Sequence, residues 1–199
     1  MTTLTFCIKD CFSESDPIFN DISDAVLQHA GKNIRYNFVI KVSYNHGGVI
    51  VVMRNLVQLI ETTVQTYANI YFDLRFGGFA VSAAAFFFLY FAYYSQLPRV
   101  RVSSGVRLCL VYHKPRTEWE KNNQKRLIFA NQQKDFNLLT AREKQDLKNY
   151  TTEFDMVLDN FIKILEDQNG TAVDQHLKDS YNTNGDMSFT LSPKTFKTF

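Results

Sequence analysis

Between Arg75 and Arg99 the chain runs for 23 residues without a charged side chain, the longest such stretch it has. Such a stretch must be kept from water, either by lipid or by the protein's own interior. Without Pro98 it covers residues 76–97, and at ~1.5 Å rise per residue a helix of that length spans roughly 33 Å, against a hydrocarbon core of ~30 Å. Aromatic side chains concentrate in the same region, with 12 of the 29 Phe, Tyr and Trp residues in 67–94. Ala83, Ala84, Ala85, Phe86, Phe87, Phe88 and Leu89 form its apolar centre. Tyr90, Tyr93 and Tyr94 fall toward one end, where an interfacial belt would put them, and Pro98 stops the helix. The stretch is longer than an ordinary core helix, so the sequence predicts one membrane span.

Charge sets the expected orientation. Arg99, Arg101, Arg107, Lys114 and Arg116 follow the span, whereas only Arg75 lies close before it. The positive-inside rule then puts the C-terminal part in the cytosol or the mitochondrial matrix. Residues 99–134 hold nine basic and two acidic residues, and 135–199 hold seven basic and eleven acidic. Neither a cleavable secretion signal nor a mitochondrial presequence is visible at the N-terminus, which carries Lys9 and Asp10 where an apolar core would be needed. An internal signal followed by basic residues suits the mitochondrial inner membrane, with the C-terminus in the matrix.

Periodicity organises the rest. Ile18, Phe19, Ile22, Val26 and Leu27 share one face of a short helix over 17–30, with Asp16 before it and Gly31 after it. Residues 34–44 alternate as a half-buried strand. Asn45-His46-Gly47-Gly48 is a turn, after which 49–53 either pairs back or starts a helix. Helical spacing continues over 55–74 toward the span, and 100–112 reads as a small hairpin around Ser103-Ser104-Gly105. Thr117–Glu120 and Thr140–Glu143 both match a capping box. The second opens the clearest helix, 141–168, whose face Leu147, Tyr150, Phe154, Val157, Leu158, Phe161, Ile162 and Leu165 offers packing for a partner.

The expected fold is therefore α+β and mainly helical, a single transmembrane helix flanked by small β-hairpins and a C-terminal amphipathic helical segment. Its divisions are an N-terminal α/β segment at 1–75, the span at 76–98, a basic hairpin with a helical domain at 99–178, and an extended tail at 179–199.

Chemistry is sparse. Hydrophobic residues are 45% and charged residues 21% of the chain, which fits a folded protein and excludes fibrous or wholly disordered classes. A mean hydropathy of −0.21 excludes a polytopic membrane protein. A net charge of +2 by itself asks for no acidic partner, and nucleic acid is not expected. Cys7 and Cys11 stand four apart with no second pair to complete a metal site, and His29, His46, His113 and His176 have no ligand spacing. Whether the two thiols join in a disulfide is left open. His46-Gly47-Gly48 has the composition of an oxyanion-hole loop, but no G-x-S-x-G nucleophile elbow occurs, nor any phosphate-binding glycine motif. No enzyme activity, cofactor, metal or small-molecule substrate is expected.

The function expected from these features is a non-catalytic accessory or scaffold subunit of a larger membrane complex. Its partners are other subunits and anionic lipid, with Arg99, Arg101, Arg107, Lys114 and Arg116 placed to hold head groups. Two alternatives are carried forward: a peripheral protein of the membrane surface, and a soluble α+β binding module with a buried Phe-rich helix.

Overall fold

The computed structural model describes residues 1–199 except 122 and 132, and except the side chains of 133, 134 and 184. Lys134, the last basic residue counted in 99–134, thus lies outside the described side chains. Cα packing divides the chain into two compact units, Met1–Tyr112 with Ser188–Phe199, and His113–Met187.

The first unit is built on a parallel core. Strands β1 (Thr2–Ile8), β2 (Tyr36–Asn45), β3 (Ile70–Val81) and β4 (Val100–His113) pair in that order, all parallel. Parallel neighbours cannot be joined by tight turns, so each step is made by a helical crossover. Helices α1 (Ile18–His29), α2 (Ile50–Thr66) and α3 (Ala83–Leu89) fill those steps, the last running into a π-helical turn at Tyr90–Tyr94. Two further strands, β7 (Asp186–Leu191) and β8 (Lys194–Lys197), join β4; β8 is antiparallel to it, which makes the sheet mixed. The two unit boundaries fall inside β4 and β7, next to one end of each strand.

Phe38, Ile40 and Val42 of β2 and Ile70, Phe72 and Leu74 of β3 are fully buried on one sheet face. Met53, Ile60 and Val64 of α2 are also fully buried. The Phe-rich segment joins this core. Phe87 packs its ring against Phe12, Phe76 and Phe91 at centroid distances of 5.7, 6.1 and 5.1 Å. Phe88 meets Phe76 and Phe196 edge-on, both at 5.0 Å.

The second unit contains a hairpin of β5 (Arg116–Lys121) and β6 (Gln124–Phe129) and the helices α4 (Gln133–Phe136), α5 (Ala141–Asn169) and α6 (Gln175–Asn184). Ile128, Leu139 and Leu147 form a small core there, with Trp119, Ala130 and Phe136 packed against it.

The class is α/β with a mixed sheet, which corrects the mainly helical α+β expectation. The predicted membrane span is also overturned: among the described residues no helix is long and apolar enough to cross a membrane. Residues 76–81 finish β3, Ser82 turns the chain, and only residues 83–94 are helical. At ~1.5 Å per residue those twelve positions reach about 18 Å, well short of a hydrocarbon core. Every residue from Ala83 to Leu89 is 0% exposed, solvated by the protein's own side chains rather than by lipid tails. A parallel strand covered on both faces and a buried helix are each apolar throughout, so joined end to end they have the composition of a span.

Other boundaries move for related reasons. α2 stops at Thr66 and β3 begins at Ile70, so 55–74 is not one helix. Val100–His113 is one strand rather than a hairpin; the register jumps from Phe76↔Ser104 to Gly78↔Leu108, and the bulge absorbs Gly105 to Arg107. Thr117–Glu120 lies in β5, where its resemblance to a capping box has no helix to cap.

Candidate active site

Ser82 occupies the turn between β3 and α3 with φ 55° and ψ −120°. A side-chain-bearing residue in that region carries strain of about 1–3 kcal/mol, tolerated only where the surroundings over-determine it. Here they do. Its N–H donates to the Val111 carbonyl at 2.8 Å, and its carbonyl accepts the Phe86 N–H at 3.0 Å. A sharp strand-to-helix turn of this kind lifts a serine hydroxyl clear of its own backbone. The turn needs small neighbours two residues either side, and Ala80 and Ala84, both fully buried, supply them. The legible pattern is thus A-x-S-x-A. Sequence reasoning sought glycine at those places and passed over Ser82.

Gly47 and Gly48 cross beside this serine, with φ +97° and +110°. A Cβ on Gly47 would stand 2.6 Å from the Val81 carbonyl oxygen, 2.7 Å from Ser82 Cβ and 3.2 Å from Ala83 N. No side chain fits there. The strap is anchored on both flanks: Phe12 N donates to Gly47 O at 2.6 Å, and Val49 N to Phe12 O at 2.8 Å. Asn45, fully buried, accepts the Gly47 N–H on Oδ1 at 2.9 Å. As the first residue of α3, Ala83 has an N–H without an acceptor inside its own helix.

In the second unit His113 and Asp186 are bonded, Nδ1 to Oδ1. The His113 side chain is 15% exposed and that of Asp186 47%. With Nδ1–H donating to the carboxylate, Nε2 is left as an acceptor, the state required of a general base. The register of the pair is set by the main chain next to it, where Lys114 N donates to Gly185 O at 2.6 Å. The two residues are 73 apart in sequence, and spacing gave no sign that they meet.

The residues singled out from the sequence are used differently. Arg99 donates to the Val64 carbonyl, and Arg101 reaches Thr195 Oγ1 at 3.4 Å. Arg107 sits exposed on the β4 bulge and Arg116 exposed at the start of β5. Lys114 is buried, with Nζ 3.8 Å from Asp155 Oδ1. Arg99 is half-buried and Lys114 buried, each with a partner within the chain. On α5, Leu147, Phe154, Val157, Leu158 and Phe161 are buried within the chain, while Tyr150 and Leu165 are half-buried. Cys7, Cys11 and Cys109 are free thiols. Among the described residues no group of three or more His, Cys, Asp and Glu could hold a metal ion.

No family model matches this chain, and no curated protein matches it.

Proposed function

We propose that the chain is a serine hydrolase acting on an acyl bond, with Ser82 as nucleophile. The observation that carries this reading is the Ser82 turn itself, a serine at φ 55° between strand and helix with the Gly47 main chain packed against it.

The chemistry follows the roles. A general base takes the Ser82 hydroxyl proton as Oγ bonds to the acyl carbon. The carbonyl oxygen becomes an oxyanion, and the Ala83 N–H, which has no acceptor inside its own helix, is a main-chain donor next to Ser82. The bond to the leaving group breaks, and the leaving group departs with that proton. Water then attacks the acyl-serine with the same base taking its proton, releasing a carboxylic acid and restoring the hydroxyl.

A fluorophosphonate probe tests the proposal. Ser82 Oγ displaces fluoride from phosphorus, so the wild-type chain gains the mass of the phosphonyl group on the peptide containing Ser82. Ser82→Ala should remove the label entirely. A wild-type chain that is folded yet unlabelled would sink the hydrolase reading. It would leave the non-catalytic binding module, a reading supported by the buried Phe-rich helix.

A further inference from the structure

We propose that the face of the parallel sheet turned away from its helices binds single-stranded nucleic acid, with Lys41, Arg75 and Arg101 along the phosphates and Tyr71 against a base. The proposal concerns the first unit alone and does not depend on the hydrolase reading.

Strands β1 to β4 pair in chain order, and crossovers between parallel strands are right-handed almost without exception. Successive crossovers in one direction put α1, α2 and α3 on the same side of the sheet. The register then sorts the side chains. Phe6, Ile40, Leu74 and Val102 stand level across the four strands on the helical side. One residue further along, Cys7, Lys41, Arg75 and Ser103 stand level on the other side. Thr3, Thr5, Cys7, Lys41, Ser43 and Arg75 are exposed on that side, while the shorter Val39 and Asp73 are buried there.

Lys41 and Arg75 are direct neighbours on strands about 4.8 Å apart. Like charges placed opposite one another destabilise a sheet. The flanking strands do not offset this, because they give Lys41 a thiol, Cys7, and Arg75 a hydroxyl, Ser103. Asp73, the carboxylate of this face, is engaged by Arg75, whose Nε and Nη2 both donate to its Oδ2, at 2.8 and 2.6 Å. Arg101 stands level with Asp73, so a single carboxylate serves Lys41, Arg75 and Arg101 together. An anion laid along the row relieves the repulsion that the fold leaves in place.

The aromatic end of the face selects the kind of anion. Tyr71 precedes Arg75 by four residues on the same side of β3, about 13 Å along the strand. Its half-buried ring has the Arg35 guanidinium 6.0 Å from the centroid and Phe199 edge-on at 5.4 Å. Bases stack on such rings while cations follow the backbone, which is how single strands are held without regard to sequence. A lipid surface supplies the negative charge but no base to stack. The whole-chain charge of +2 does not reveal this row, because it does not record which side of a sheet each residue faces.

Fluorescence anisotropy of fluorescein-labelled oligo(dT) with the full chain tests the proposal. The expected Kd is on the order of 10⁻⁵ M at physiological salt, and log K should fall with log salt at a slope of about −2 to −3. Lys41→Gln should weaken binding ~5-fold and flatten the slope by ~0.7, the loss of one phosphate contact. Tyr71→Leu should weaken binding ~5-fold or more and leave the slope unchanged, the loss of stacking. Arg54→Gln, the same change of charge on α2 in the helical layer, should alter neither. A folded wild-type chain that binds no oligo(dT) at low salt overturns the proposal. So does binding that stays within twofold of wild type in both Lys41→Gln and Tyr71→Leu. Binding to phosphatidylserine vesicles without binding to oligo(dT) overturns it in favour of a lipid surface. Fluorophosphonate labelling of Ser82 is a separate readout, so failure of the hydrolase reading leaves each of these outcomes as it stands.

Discussion

Gly47 and Ser82 meet main chain to side chain so closely that the space between them cannot hold a methyl group. A Cβ built on Gly47 falls 2.7 Å from Ser82 Cβ. The contact joins two unusual backbone conformations, φ +97° at Gly47 and φ +55° at Ser82. Each holds the other in place.

Gly47→Ala should therefore damage both stability and reactivity. The left-handed conformation and the overlap together cost about 3 kcal/mol, and Ser82 labelling should fall by more than tenfold in whatever fraction stays folded. Gly105→Ala is the control: nothing lies within 4 Å of its added methyl, and it should change stability by less than ~1 kcal/mol. Urea unfolding of both variants, with labelling rates, measures the difference.

Phe87→Ala tests what solvates the apolar run. Phe87 is fully exposed to other rings and not at all to water, so truncation should cost ~3–5 kcal/mol by leaving a cavity. The unfolding midpoint should drop with an unchanged slope. A variant as stable as wild type in detergent-free buffer would contradict burial of this helix in the protein core.

Thr140 caps α5 by accepting the Glu143 N–H at 3.3 Å, while Glu143 Oε2 accepts the Thr140 N–H at 2.8 Å. Thr140→Ala should cost ~1 kcal/mol at neutral pH. The hydroxyl and amide of Thr140 hold the Glu143 carboxyl below its usual pKa of 4.5. A lowered carboxyl contributes stability that is present above pH 4.5 and lost as pH falls through the folded value. The penalty of Thr140→Ala, measured by urea unfolding, should shrink once the carboxyl is protonated.

Burial pushes the Tyr93 phenol up to about 12 from an ordinary 10.0. A raised phenol favours the folded state fully below pH 10, and that contribution is lost as pH climbs from 10 toward 12. Absorbance at 295 nm should show a late-titrating tyrosine that is missing from Tyr93→Phe. The variant's stability should also decline less between pH 10 and 12. Equal slopes in the two proteins would contradict this burial.

Elements specified within a few residues were legible from the sequence. The alternation over 34–44 marks β2, which spans Tyr36–Asn45. The helix over 17–30 marks α1, and Asp16 accepts the Ile18 N–H at 3.0 Å at its start. Thr140 and Gly170 bound α5 as expected, with Gly170 in the left-handed conformation that ends a helix. Much of the candidate site was not legible. Ser82 is identified by its backbone angles and by small neighbours that here are alanines, and neither is a motif. His113 and Asp186 become partners only when distant strands carry them together.

By itself, the order of residues determined where charge is absent, where helices are capped, and where the chain alternates, because each of these depends on neighbours a few positions apart. Tertiary structure decided what surrounds the uncharged run. The free energy of hiding apolar area from water is much the same whether lipid tails or the chain's own rings provide the cover. Choosing between them requires contacts such as Phe87 with Phe12, 75 positions apart, and Phe88 with Phe196, 108 positions apart, which no local pattern encodes.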